Sequence, residues 1–293
     1  MPRVSVTHET VYRYAQPVRL LGHRLMLRPR DSHDLRLLET ELSVSPPAAS
    51  TRWAHDVFGN SVCYLTFPDD APTEQLRIVS TLDLRHYPTG TALPLDPFAE
   101  AFPFGYTSEE VPDLARSIER HCPDPDRLID VWAHRCLNSD GPTRTATMLT
   151  AITQAIKAEF TYEGRQAEGT NDPLLTLAHR SGACRDLALF MMEAVRSLGL
   201  AARFVSGYLY DERLVASSEP VIGGGATHAW CEVYLPGAGW VEFDPTNGWV
   251  AGRNLIRVSV ARTPQQAVPI AGSFIGPAGA FSDMSVNVEV SVA

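Results

Sequence analysis

No Cys-x-x-Cys pair occurs anywhere in the 293 residues of this sequence. The five cysteines, Cys63, Cys122, Cys136, Cys184 and Cys231, are scattered and odd in number. A disulfide framework is therefore not expected, and a reduced compartment fits better. No apolar run approaches the roughly eighteen residues of a membrane span. The opening Met1-Pro2-Arg3-Val4-Ser5-Val6-Thr7-His8 begins no apolar stretch of signal-peptide length. Basic side chains are outnumbered 25 to 34, giving a net charge of -9. That balance disfavours nucleic acid, whose binding runs on phosphate neutralisation by Lys and Arg. It also gives no attraction to an anionic membrane surface. The expected setting is a soluble cytoplasmic protein. What is present is 44% hydrophobic and only 20% charged residues, enough to bury a sizeable core.

The chain reads as two parts. Residues 1–88 are strand-like: Val4, Val6 and His8 alternate with polar neighbours, as do most of Leu38–Val44 and Arg77–Leu84. A turn signal at Gly59-Asn60 is flanked by β formers. These features predict an all-β, sandwich-like N-terminal domain, and its scattered histidines suggest no chemistry. Residues 89–112 are punctuated by proline and carry Phe98, Phe102, Phe104 and Tyr106, which predicts a linker draped over a surface. Residues 113–293 form the second part. Helical spacing predicts helices from about 108 to 121, 126 to 137 and 143 to 158. His121-Cys122 and His134-Arg135-Cys136 supply two His and two Cys, a zinc-type ligand set. They lie on or at the ends of predicted helices without a tight knuckle, so packing is the better reading. No metal and no cofactor are expected.

The stretch from Ser181 to Asp244 carries the chemistry. Cys184 follows Gly182-Ala183 and opens a helix with Leu187, Phe190, Met191, Ala194 and Leu198 on one apolar face and Asp186, Glu193 and Arg196 on a polar one. Gly199 is placed to end it. Backbone N–H groups at such a helix start stabilise a thiolate and can donate to an oxyanion. A buried inert thiol is the competing reading of a lone cysteine. Thr227–Leu235 alternates as a strand, Pro236-Gly237-Ala238-Gly239 turns, and Trp240–Asp244 returns. If Tyr234 pairs near Trp240, Asp244 falls opposite Trp230, on the face of His228 and one diagonal step away. Diagonal neighbours are roughly 7–8 Å apart between backbones, within reach of a carboxylate and an imidazole. Cys231 has the opposite parity and reads as core. Cys184, His228 and Asp244 are thus the candidate nucleophile, base and orienting acid. Tyr162, Gly182 and Trp230 are weaker candidates for contact with substrate or oxyanion. The Ser217–Gly225 loop, glycine-rich and directly before His228, is a candidate lid. The segment carrying Pro264, Pro269, Gly272, Gly276 and Gly279 could line a cleft, and the strictly alternating Ser285–Val292 extends a sheet.

Gly182-Ala183-Cys184-Arg185-Asp186-Leu187-Ala188, Arg203-Phe204-Val205-Ser206-Gly207-Tyr208, Thr227-His228-Ala229-Trp230-Cys231-Glu232-Val233-Tyr234 and Gly239-Trp240-Val241-Glu242-Phe243-Asp244-Pro245-Thr246-Asn247 together resemble the transglutaminase-like core of bacterial proteins. Phe160-Thr161-Tyr162 fits as well. The N-terminal part, including Asp56-Val57-Phe58-Gly59-Asn60, resembles the β domain that precedes this core. The resemblance implies a papain-like α+β fold in which a helix bearing Cys184 packs on an antiparallel sheet bearing His228 and Asp244. It implies acyl transfer at an amide through a thioacyl-enzyme. Hydrolysis of a peptide or protein amide is the first expectation. Transfer from a glutamine side chain to an amine is the second, and a non-catalytic peptide-binding module, against which the intact Cys, His and Asp weigh, is the third. The sequence leaves a homo-oligomer open.

Overall fold

The computed structural model describes residues 2–88, 93–165, 167–210, 225–251 and 254–292. The candidate lid lies outside these residues except for Gly225. The longer strands and helices are numbered in chain order.

Five strands open the chain: β1 (Arg3–Leu25), β2 (Leu35–Ser45), β3 (Ser50–His55), β4 (Ser61–Thr66) and β5 (Thr73–His86). They pair in the order β2-β5-β1-β4-β3. β1 is 23 residues long and serves two partner sets. Its first half pairs with β5 and its last residues with β4, with a register shift between Arg13 and Val18. Pro17 lies in that gap, and a proline has no N–H to give to a ladder. Gly59 has φ +77° in the turn from β3 to β4, where Asp56 Oδ1 accepts the Phe58 and Asn60 N–H groups at 2.9 and 2.8 Å.

The helices follow: α1 (Glu110–Ile118), α2 (Leu128–His134), α3 (Thr145–Glu159), α4 (Pro173–His179) and α5 (Cys184–Ser197). The first two fall inside the spans that the apolar spacing predicts, and the third runs one residue past its span. The fourth is additional: Asp172 caps it, accepting from Leu174 N–H at 2.8 Å, with Pro173 in its first turn. Helix α5 is buried on all sides, and the expected polar face is absent. Glu193 meets Arg196 at 2.9 Å and Arg120 at 3.1 Å, and Arg196 also donates to the carbonyls of Ser117, Ala202 and Arg262. Partners from remote segments make this burial affordable. Gly199, at φ +81°, ends the helix: its N–H bonds Arg196 O, and Leu200 N–H bonds Val195 O.

A second sheet comprises β6 (Ala202–Leu209), β7 (His228–Leu235), β8 (Gly239–Asp244) and β9 (Leu255–Ala261), ordered β8-β7-β6-β9, with Trp249–Val250 beside β8. Helix α5 packs on one of its faces through Ala202, Phe204, Cys231 and Phe243. The architecture is α+β, an N-terminal all-β half-barrel followed by helices and this antiparallel sheet.

The last two strands, β10 (Ile270–Ile275) and β11 (Phe281–Val292), pair with β1. The C-terminal strands, placed with the helical part from sequence, thus stand in the N-terminal sheet. The two sheets meet along β6. Ala202 and Phe204 face α5, whereas Tyr208, two steps along the same face, and Tyr210, just past the strand end, pack on Val4, Val6 and Leu84. Ser206 lies at the seam between these two coverings. Among the described residues no helix is long and apolar enough to cross a membrane.

Candidate active site

At that seam a cleft of about 240 Å³ opens, and Cys184, Ser206 and His228 line it. Cys184 is the first residue of α5, and Ala183 before it has extended backbone. The first N–H groups of a helix have no carbonyl one turn earlier, so the tip offers donors at the sulfur. Ala183 has no side chain with which to cap the helix. Asp186 does that work in part, accepting the Ala183 N–H at 3.0 Å. Asp186 also accepts Asn171 N–H at 2.7 Å and pairs with Arg165 at 3.0 Å. Arg185 bonds the carbonyls of Arg165, Ala167 and Gly169. The first turn of the helix therefore clamps Arg165, Ala167, Gly169 and Asn171 of the preceding loop, and Glu168, Gly169 and Thr170 line the cleft.

His228 begins β7 and is 1% exposed. Tyr234 pairs with Trp240, the register expected from the alternation. It brings Asp244 to His228: Nε2 lies 2.9 Å from Asp244 Oδ2. Burial alone would lower the imidazole pKa. The Asp244 carboxylate outweighs that, the Cys184 side chain adds to it, and the net shift is well upward. Nδ1 is buried, with no hydrogen-bond partner among the described residues. The ring is thus anchored on Nε2, leaving Nδ1 for the thiol and the reacting group. Burial works against an ionised Asp244 as well, yet the charge of His228 and the bonds it accepts hold its pKa below the usual carboxylate value. Those bonds come from Thr246 N–H at 2.9 Å, Asn247 N–H at 3.3 Å and Asn247 Nδ2 at 2.8 Å.

Trp230 is fully buried and stacks on His228, with ring centroids 5.9 Å apart and planes 26° apart. It steers the imidazole from behind and cannot touch substrate. Its Nε1 donates to Glu242 at 3.2 Å. A Cβ on Gly207 would stand 2.6 Å from the Trp230 ring and 2.1 Å from Ile256 O, so only glycine leaves this stack its room. Gly182 likewise makes space for Asp186, whose Cβ would lie 2.9 Å from an added Cβ. Its place is behind the helix start, not on the cleft surface. Tyr162 pairs with Gly182 and is near enough to Cys184 for a thiolate there to raise its pKa, after burial as the larger cause. Cys231 is fully buried in the core, which pushes its thiol pKa strongly up. His121 and His134 bond the backbone carbonyls of Arg116 and Asp130. Among the described residues no three His, Cys, Asp or Glu side chains group as a metal site needs.

Asn247 is a site residue to which the sequence pattern assigns no role. Its signal was the spacing Asp244-Pro245-Thr246-Asn247, in which an aspartate accepts backbone N–H groups two and three residues on. The wall opposite Cys184 had no local signal. It consists of His8, Thr10 and Tyr12 from β1 with Met284 and Val286 from β11.

Comparisons with known proteins bear on both parts of the chain. Residues 4–85 match the family described as bacterial transglutaminase-like N-terminal region, and residues 132–245 match the transglutaminase-like superfamily. An uncharacterized protein of Mycobacterium tuberculosis is 29% identical over 98% of this chain and 92% of its own length. A protein-glutamine gamma-glutamyltransferase of Pseudomonas aeruginosa is 36% identical over 80 residues, 27% of this chain and 12% of its own. Among solved structures, a candidate cysteine protease from Cytophaga hutchinsonii superposes with a TM-score of 0.68 at 19% identity, covering 100% of this chain and 90% of its own. That likeness is one of fold.

Proposed function

Because the chain carries a bacterial transglutaminase-like N-terminal region followed by a core of the transglutaminase-like superfamily, we propose that it is a cysteine-dependent acyl-transfer enzyme that hydrolyses an amide or peptide bond. The observation that carries this reading is the one-sided anchoring of His228: Nε2 is bound by Asp244, while Nδ1 has no hydrogen-bond partner among the described residues and the side chain of Cys184, at a helix start, helps to raise the imidazole pKa. In this mechanism the Cys184 thiolate attacks the amide carbonyl carbon. The oxyanion takes hydrogen bonds from backbone N–H at the tip of α5. His228 gives its Nδ1 proton to the departing amine, and a thioester to Cys184 remains. Water then attacks the thioester, His228 Nδ1 takes its proton, and the acid leaves. Asp244 stays ionised and holds the ring in this tautomer throughout.

Cys184→Ala is expected to lower amide cleavage by at least about 10³-fold. Mass spectrometry of the wild type after incubation with a peptide library should find an acyl adduct on Cys184. Full cleavage by the variant would remove the proposal. Transfer to an amine instead of water is a second reading, favoured by the local likeness to the Pseudomonas protein. Amine incorporation that outruns hydrolysis on a glutamine substrate would select it.

A further inference from the structure

The cleft has a wall that the candidate Cys, His and Asp do not explain. Tyr12 belongs to β1, Met284 and Val286 to β11, and Val268 to the segment before β10, yet all line the cavity that holds Cys184. Val286 and Val268 are 37% and 38% exposed. Apolar side chains left open to solvent around a nucleophile imply an apolar group that covers them during turnover.

Three polar side chains of this cavity, His8, Thr10 and Arg185, are committed elsewhere. His8 is engaged on both nitrogens, by Tyr208 OH and Thr10 Oγ1, each at 2.9 Å. Arg185 is turned to the carbonyls of Arg165, Ala167 and Gly169. Glu168 is the one carboxylate among the described lining residues. A carboxylate or amide side chain set against Val268, Met284 and Val286 would lose its water and gain no partner from them.

Resting on the reading of Cys184 as nucleophile, we infer that the N-terminal sheet and β11 form the acyl-side specificity pocket, and that it takes an apolar residue such as Leu or Met in preference to Gln, Asp or Glu. Once the amine has left, the acyl group stays bonded to the Cys184 sulfur. The cavity of about 240 Å³ must therefore hold that residue. This is below the roughly 300–1,000 Å³ of drug-sized sites and suits a group of amino-acid size.

The test is the rate at which Cys184 is labelled by peptidyl acyloxymethyl ketones that differ only in the side chain next to the ketone. The sulfur displaces the acyloxy group as a carboxylate and forms a C–S bond, so neither water nor amine is involved. Leu and Met reagents should label at least about 10-fold faster than Gln or Asp reagents. Val286→Glu should erase that preference. Ser285→Glu, whose charge sits on the other face of the same strand, should keep it. Iodoacetamide should label Cys184 at the same rate in the wild type and in Ser285→Glu, and the preference in Val286→Glu is read as a ratio between reagents on that one protein. Uniform labelling across the series, or a preference untouched by Val286→Glu, overturns the pocket while leaving the nucleophile in place. Failure of Cys184 to react with any reagent removes the underlying reading as well.

Discussion

His228 is held from two sides, by Asp244 at its Nε2 and by Trp230 on its face, and Gly207 gives Trp230 its room. The acid is the electrostatic partner that matters most, because its charge lifts the imidazole pKa against burial. Asp244→Asn should therefore lower that pKa. The basic limb of the kcat/KM profile should move to lower pH, and kcat/KM should fall by about 10²- to 10⁴-fold. A profile unmoved by this substitution would separate Asp244 from the base. The sign for stability follows too. The raised pKa of His228 makes its contribution complete below its unfolded value of about 6.5, and that contribution is lost as pH rises through the folded value. The lowered pKa of Asp244 makes its contribution present above about 3.9, and it is lost as pH falls further. The pairing of Tyr234 with Trp240 was legible in the sequence because alternation with one short turn leaves few registers open. Asn247 was less legible, since its role depends on how the chain turns after Pro245.

Helix α5 shows what an element's pattern conveys and what it omits. Its start, its length and its stop at Gly199 follow from spacing and from the need for a left-handed residue. The burial of Asp186, Glu193 and Arg196 does not, because their partners lie far away in sequence: Arg165, Arg120, and the carbonyls of Ser117 and Arg262. A periodicity rule counts charged residues as solvent-facing; remote neutralisation reverses that. Glu193→Ala would leave Arg196 buried without its carboxylate. It should destabilise the fold by about 3–5 kcal/mol, read from urea unfolding. A change within about 0.5 kcal/mol, the scale of surface substitutions, would mean that the pair contributes little.

At the scale of the whole molecule, two histidine–tyrosine contacts fasten the sheets together. His8 Nδ1 meets Tyr208 OH at 2.9 Å, and His86 Nδ1 meets Tyr210 OH at 2.7 Å. Burial pushes both imidazoles down, each to about 4. The unfolded chain binds these protons near pH 6.5 and the folded one does not, so stability falls as pH drops from about 6.5 towards 4. Between pH 7 and 5 each histidine should cost about 2 kcal/mol, and the double variant His8→Gln/His86→Gln should flatten that decline in denaturant titrations. Equal slopes for variant and wild type would assign the acid sensitivity to other groups. The individual strands of the first domain were legible by alternation, but the pairing of Val4 with Val292 was not, because nothing local marks so distant a partner. That pairing also sets a timetable. On the ribosome, α5 and the sheet that carries His228 emerge well before Met284 and Val286, and domains tend to fold as they emerge. The proposed nucleophile and base therefore emerge before Met284 and Val286, the part of the proposed specificity wall that β11 supplies. On the proposal made above, a nascent chain stalled ahead of β11 would carry the thiol with Tyr12 and Val268 but without Met284 and Val286, and its choice among acyl groups would be complete only once β11 joins β1.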